Sequence, residues 1–316
     1  MNREQRIAVV GAGLMGHGIA LEFALAGFRV RLNDLSQEIL REALNRVRSN
    51  LEMLERVGVV AADQIEPAIS NISPAGDLSE TVKDTDLVVE AVFEDMELKR
   101  ELFAAFDRYC PPHTILASNS STLMPGTLAA ATTRPERVLV THYFNPPFLL
   151  PLVEVVRHEL VSDETVSTVV QLLEQIGKKP VVVQREVPGF IGNRLQMALF
   201  REALSLVEEG VATPKDIDTV VKTGFGRRYA AAGPFEIWGL AGWDLIEVVA
   251  KNLLPDLARS RELSKLLTER VERGELGAKS AKGFYSWTPE SIEELKTAIG
   301  RSLIAISKEV DGDKMS

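Results

Sequence analysis

"RIAVVGAGLMGHGIALEFALAGFRVRLND", residues 6–34, decides the fold of the chain around it. After Arg6, residues 7–10 are apolar and valine-rich, the composition of a strand buried on both faces. Glycines 11, 13 and 16 follow in the spacing G-x-G-x-x-G, and residues 14–28 carry a helical pattern that ends near Gly27. A second strand, 29–34, closes on Asp34. In that setting each glycine has a task. Gly11 permits the tight turn, Gly13 lets a pyrophosphate approach the backbone, and Gly16 lets helix and strand pack closely. The helix N-terminus offers unpaired N–H groups and its positive dipole end to phosphates. Gly11, Ala12, Gly13, Leu14, Met15 and Gly16 are therefore the candidate pyrophosphate loop. Asp34 suits ribose hydroxyls and repels a 2′-phosphate, which favours NAD over NADP. The alternative is a strand-to-helix turn that binds nothing.

Beyond this unit, β-branched runs alternate with helical patterns. Ser36 caps a long amphipathic helix, and a shorter helix follows around 63–69. Strands are predicted at 86–92, 114–120, 137–144, 152–156 and 180–184, with helices over 96–110 and 163–176. This alternation predicts an α/β, Rossmann-type doubly wound sheet over residues 1–187. After Pro188 the β pattern stops, and residues 188–316 read as an all-helical domain. Thr213, Pro214 and Asp216 start one helix; others are predicted over 235–254, 259–273 and 289–309.

The formal net charge of −9 and the lack of a basic stripe exclude a nucleic-acid footprint. No apolar run reaches membrane-spanning length, and no leader-like apolar segment precedes the glycine motif. Cys110 is the only cysteine, which excludes a disulfide framework, and no histidine spacing suggests a metal. A cytoplasmic protein with a small-molecule substrate is expected.

"THYFNPPFLLPLVEVV", residues 141–156, is apolar and proline-broken, yet it holds His142 and Glu154. An imidazole is suited to taking a hydroxyl proton as hydride leaves the same carbon, and a carboxylate beside it fixes the tautomer. Glu154 sits among valines, where an unpaired carboxylate is costly. From periodicity two accounts stand: a base with its buried orienter, or a core histidine with Glu154 turned outward. His17 is expected on a helix surface, His113 and His158 in loops.

The segments "GAGLMGHG", "ASNSSTLMP", "HYFNPP", "PLVEVV", "PGFIGNRL", "GPFE" and "KGFYSW" occur in order over nearly the whole chain. Together they resemble the L-3-hydroxyacyl-CoA dehydrogenase family, 3-hydroxybutyryl-CoA dehydrogenases included. The resemblance implies an active site of Ser121, His142, Glu154 and Asn193, with Ser121 and Asn193 on substrate. Spacing alone would take Ser121 as a strand-end serine and Asn193 as a polar residue in a first helical turn. It also implies NAD contacts at Glu94, Lys99, Asn119, Ser121, Asn145 and Lys279; by itself Lys99 reads as a solvated helix lysine. With the apolar helices after 188, it implies a homodimer through the C-terminal domain.

Acyl-CoA members place lysines after the second strand, near the nucleotide 3′-phosphate. Here residues 50–71 contain Arg56 but no lysine, and Glu52, Glu55, Asp63 and Glu66 instead. "GFGRRYAAAGP", 224–234, is similar to the lambda-crystallin and L-gulonate 3-dehydrogenase branch, which oxidises free hydroxy acids. There Arg228 reads either as a bidentate anchor for a substrate carboxylate or as a solvated turn arginine. The expectation is NAD-dependent oxidation of an (S)-3-hydroxyacyl-CoA to the ketone, in fatty acid metabolism. A free hydroxy acid such as L-gulonate is the alternative. A non-catalytic nucleotide-binding protein, structural or sensory, is a third, which the intact set of four residues disfavours.

Overall fold

A computed structural model describes residues 5–312. The chain divides into two compact units, the first ending at Arg194 and the second starting at Leu195.

The first unit is built on one eight-stranded sheet. Its strands are β1 (Arg6–Val10), β2 (Arg29–Asn33), β3 (Ile72–Ala75), β4 (Leu87–Glu90), β5 (Ile115–Ser118), β6 (Val138–Tyr143), β7 (Leu152–Val156) and β8 (Lys179–Val183). They lie in the order β3-β2-β1-β4-β5-β6-β7-β8, all parallel except the β6–β7 pair. The helices are α1 (Gly16–Leu25), α2 (Gln37–Arg56), α3 (Ala62–Ser70), α4 (Leu78–Val82), α5 (Met96–Tyr109), α6 (Pro125–Ala129) and α7 (Asp163–Gln175). Alternation along β1 divides the core into two layers. Ile7 and Val9 pack with Ile19 and Phe23 of α1 and Leu40 and Val47 of α2; Ala8 and Val10 pack with Phe103 and Phe106 of α5. This is the doubly wound α/β sheet that the alternating pattern predicts.

The antiparallel pair has a covalent cause. Residues 144–151 are all that join β6 to β7, fewer than the dozen or so that a parallel crossover needs. The chain must reverse there, and the resulting register sets His142 directly opposite Glu154.

The second unit is helical, with α8 (Gly192–Glu208) crossing the division, then α9 (Pro214–Thr223), α10 (Phe225–Arg228), α11 (Pro234–Ala241), α12 (Trp243–Leu253), α13 (Lys265–Glu272) and α14 (Pro289–Gly312). Thr213 caps α9 in a capping box with Asp216. Among the described residues no helix is long and apolar enough to cross a membrane.

Several elements differ from expectation. β3 was not predicted, because Ser73 and Pro74 break its apolar pattern; Pro74 is tolerated because β3 is an edge strand. The helix predicted over 235–254 is two helices, broken at Gly242, whose φ of 94° no ordinary helical residue adopts. The one predicted over 259–273 shortens to α13 because Ser260 accepts the Glu262 N–H, a local turn that competes with helix.

Candidate active site

At the end of β1 the chain turns at Gly11, whose φ is 101° and whose absent Cβ would lie 2.6 Å from the Ala91 carbonyl oxygen. A Cβ at Gly16 would lie 1.7 Å from the Gly11 carbonyl oxygen, so only glycine lets α1 start so close to β1. At Gly13 a Cβ would meet nothing within 4 Å, leaving the backbone open to a ligand. No side chain caps α1, and its first turn carries no acidic residue. Met15 is its N-cap, and Leu14 beside it is exposed. Asp34, just past β2, accepts the Ala12 N–H at 3.0 Å and the Ser36 N–H at 3.0 Å. Open backbone, an uncapped helix start and a fixed carboxylate fit a dinucleotide. His17 is not on the surface as expected. It is buried, its Nδ1 donating to the Gly13 carbonyl at 2.8 Å, and burial lowers its pKa. It braces the loop from behind.

His142 and Glu154 meet as the β6–β7 register requires, since directly opposed antiparallel residues share one face. His142 Nδ1 lies 2.8 Å from Glu154 Oε2, and the two side chains are 5% and 2% exposed. An ionised carboxylate only accepts, so Nδ1 carries the proton and Nε2 keeps its lone pair. The other oxygen, Glu154 Oε1, accepts from the N–H groups of Ile191 at 2.9 Å and Gly192 at 2.8 Å, at the start of α8. Those donors are aimed by a left-handed pair, Gly189 at φ 76° and Phe190 at φ 50°. Phe190 is held there by burial against Val140, Val156 and Val183 and against the His142 ring, 5.6 Å away. The Phe144 ring lies tilted beside that of His142, with centroids 4.7 Å apart. A Cβ at Gly192 would lie 2.5 Å from Phe144 Cζ. Phe190, Gly192 and Phe144 escaped notice in the sequence; the left-handed requirement at 189–190 has no signal beyond one glycine.

Ser121 follows β5, and Ser118 pairs with Val140 of the next strand, so Ser121 and His142 leave adjacent strands at one sheet edge. The Ser121 hydroxyl makes no hydrogen bond among the described residues, whereas its carbonyl accepts from Asn193 Nδ2 at 3.3 Å. Asn119 Oδ1 accepts the Tyr143 N–H at 3.0 Å. Asn145 is exposed just past β6. Lys99 is the second correction: far from solvated, it is 1% exposed and ion-paired with Glu90 at 2.6 Å, and lies 3.4 Å from Glu94. Alternating patterns gave no sign of it because its partner, Glu90, ends a strand buried along its whole length. In the second unit, Arg228 ends α10 and Lys279 lies in the short turn Ala278–Ser280, both exposed.

The model for the 3-hydroxyacyl-CoA dehydrogenase NAD-binding domain matches residues 6–187, and that for the C-terminal domain of the same enzymes matches residues 189–287. The chain belongs to the 3-hydroxyacyl-CoA dehydrogenase family. As a member it is an NAD-dependent oxidoreductase. It is 39% identical to a probable 3-hydroxybutyryl-CoA dehydrogenase of Bacillus subtilis over 284 residues, 90% of this chain and 97% of that one. It is 36% identical to a human lambda-crystallin homolog over 274 residues, 84% of this chain and 86% of that one. A solved structure of 5-formyl-3-hydroxy-2-methylpyridine 4-carboxylic acid 5-dehydrogenase, described as an NAD-dependent dismutase, superposes with a TM-score of 0.91 at 32% identity. The match covers 98% of this chain and 99% of that one.

The electrostatics of Glu154 give a pH signature. Burial is the largest influence and pushes its carboxyl up; the bonds from His142, Gly192 and Ile191 together outweigh it and leave the carboxyl below its ordinary value. With the native value depressed, the carboxylate adds stability above its unfolded-state value of about 4.5, and that contribution is lost as pH falls through the native value. Glu154→Gln removes the titrating group, so its melting temperature should fall less steeply below about pH 5 than that of the parent. Thermal melts across that range check this; parallel acid limbs would contradict it.

Proposed function

We propose that this chain oxidises the hydroxyl of a small hydroxy acid that carries a free carboxylate, with His142 as general base. The observation that carries the chemistry is the His142–Glu154 pair. Nε2, left with its lone pair by the bond at Nδ1, takes the hydroxyl proton, and Glu154 stabilises the imidazolium formed. Ser121 and Asn193 hold the substrate oxygens. Bound NAD supplies the hydride acceptor. Gly11–Gly16 and Asp34 would hold its pyrophosphate and adenosine ribose, and Asn119, Asn145 and Lys279 are further proposed contacts.

What supports a free acid over a coenzyme A thioester is the charge of α2 and α3. Arg48 is ion-paired with Glu66 and Arg46 with Glu42, while Arg56 Nε donates to the Glu52 carbonyl. Glu55 and Asp63 lie in the same stretch, where a nucleotide phosphate would need cations. The near full-length likeness to a pyridine carboxylate dehydrogenase points the same way. Arg228, whose guanidinium has no partner among the described residues, is the proposed carboxylate anchor. The thioester is the second reading, favoured by the description of both family models and by "KGFYSW"; under it the chain would serve fatty acid metabolism.

We further infer a homodimer formed by the helical unit, in the cytoplasm. Of its described residues only Leu204 and Ile304 are buried, while Leu240, Phe235 and Leu263 are 89%, 80% and 74% exposed. The cytoplasmic assignment rests on the single, buried cysteine. Sedimentation at micromolar concentration should give twice the chain mass of 34.8 kDa; a monomer would contradict the dimer.

Two kinetic comparisons test the enzyme. His142→Ala should lower kcat by about a hundredfold or more with NADH affinity nearly unchanged; unaltered turnover would remove His142 as base. NADH formation should be at least about tenfold more efficient with L-gulonate than with (S)-3-hydroxybutyryl-CoA. The reverse preference would replace the free-acid reading with the thioester.

A further inference from the structure

His17 is buried in the first turn of α1, and the chemistry above does not use it. Its backbone N–H lies 3.4 Å from the Gly13 carbonyl oxygen, a long bond, whereas its Nδ1 lies 2.8 Å from the same oxygen. The side chain, more than the helix ladder, therefore holds this carbonyl. A carbonyl only accepts, so Nδ1 carries the proton. Burial is the largest influence on the ring; with Arg46 it outweighs the bond to Gly13 and lowers the pKa, leaving the imidazole neutral at neutral pH. The Gly13 carbonyl and the Leu14 N–H belong to one planar trans peptide and point in opposite directions. With the carbonyl turned in toward a buried ring, the N–H faces out. It makes no hydrogen bond among the described residues. Leu14 is 62% exposed, and a Cβ at Gly13 would meet nothing within 4 Å. An unpaired donor beside open space, at a helix start that no side chain caps, suits a phosphate oxygen. Its neighbours are tied elsewhere: the Ala12 N–H goes to Asp34, and the Ile19 N–H donates to the Met15 carbonyl at 2.9 Å.

We propose that His17 is a positioning residue for cofactor binding: by holding the Gly13 carbonyl inward, it aims the Leu14 N–H at the pyrophosphate of NAD. Without the imidazole the 13–14 peptide keeps only the long backbone bond and is free to rotate, so part of the ordering of that donor falls to the ligand. This rests on the reading of Gly11–Gly16 as the pyrophosphate loop.

Two substitutions separate the donor from the space it fills. His17→Asn keeps an N–H in the same place, because Asn Nδ2 and His Nδ1 are both bonded to Cγ; His17→Leu fills the space with no donor. The NADH dissociation constant, read by fluorescence titration, should rise about fivefold in His17→Leu and stay within about twofold of the parent in His17→Asn. ADP-ribose, competing with NADH, should show the same pattern. Adenosine, which lacks the pyrophosphate, should compete equally well in all three proteins. His17→Ala, a good helix former, carries the test if the leucine variant fails to fold. NADH affinity unchanged in His17→Leu would overturn the proposal, as would an asparagine variant as weak as the leucine one. Equal losses for adenosine and ADP-ribose would overturn it too, since they mark a general disturbance of the site. Gly13→Val tests the loop itself: it fills the open space and should weaken NADH binding about tenfold or more. If Gly13→Val binds NADH like the parent, the reading of the loop fails, and the proposal with it; if only the His17 variants are silent, the proposal alone falls.

Discussion

The hydrogen bond between Glu154 and His142 is the interaction around which the candidate site is organised. A carboxylate in mid-strand, flanked by valines and cut off from water, costs several kcal/mol unless its oxygens are fully engaged. Here both are: one takes the imidazole N–H, the other two backbone N–H groups at the start of α8. The first of these partners depends on register. A slip of one residue between β6 and β7 would carry His142 and Glu154 to opposite faces of the sheet. The second depends on a left-handed phenylalanine, a conformation that costs about 1–2 kcal/mol and persists only because Phe190 is fully buried. The strain at Phe190 and the charge at Glu154 are offset by the same packing.

From that arrangement the rest of the chemistry inherits its geometry. The bond at Nδ1 settles which nitrogen of His142 is free. Phe144 and Phe190 hold the ring in place, and the order of strands brings Ser121 from β5 to the same sheet edge as the glycine loop of β1. A doubly wound sheet places its ligands at the carboxyl ends of its strands. Every residue of the first unit proposed here for cofactor or substrate lies there or in the first turn of α8. Redox chemistry follows from family membership, whereas the substrate proposed here turns on charge. A stretch in which arginines are already paired with glutamates has little to offer a nucleotide phosphate.

Much of this was legible in the amino-acid sequence because it rests on local rules. The glycine spacing, the alternation of strands and helices and the Ser36 and Thr213 caps each follow from backbone sterics or unpaired N–H groups within a few residues, and Asp34 was marked by its place at the end of the second strand. Pairing of His142 with Glu154 was suggested by the cost of a lone carboxylate, and the resemblance named the same two residues. What stayed hidden depends on contacts distant in sequence. Lys99 looks like any helix lysine until Glu90, at the end of another element, is brought beside it. His17 looks amphipathic until its own loop folds back over it. Edge strand β3 and the break at Gly242 carry too little pattern to be seen, since an edge tolerates proline and a single glycine is compatible with a continuous helix.

The central claim is that Glu154 holds His142 in one tautomer, with the proton on Nδ1 and the lone pair on Nε2. Nitrogen-15 NMR of the histidine-labelled protein reads this directly, the four histidines being assigned by single substitutions. The account predicts that the neutral His142 imidazole shows a protonated Nδ1 and a bare Nε2, and that Glu154→Gln shifts or mixes that population. A neutral His142 with its proton on Nε2, or a tautomer indifferent to the loss of Glu154, would contradict it.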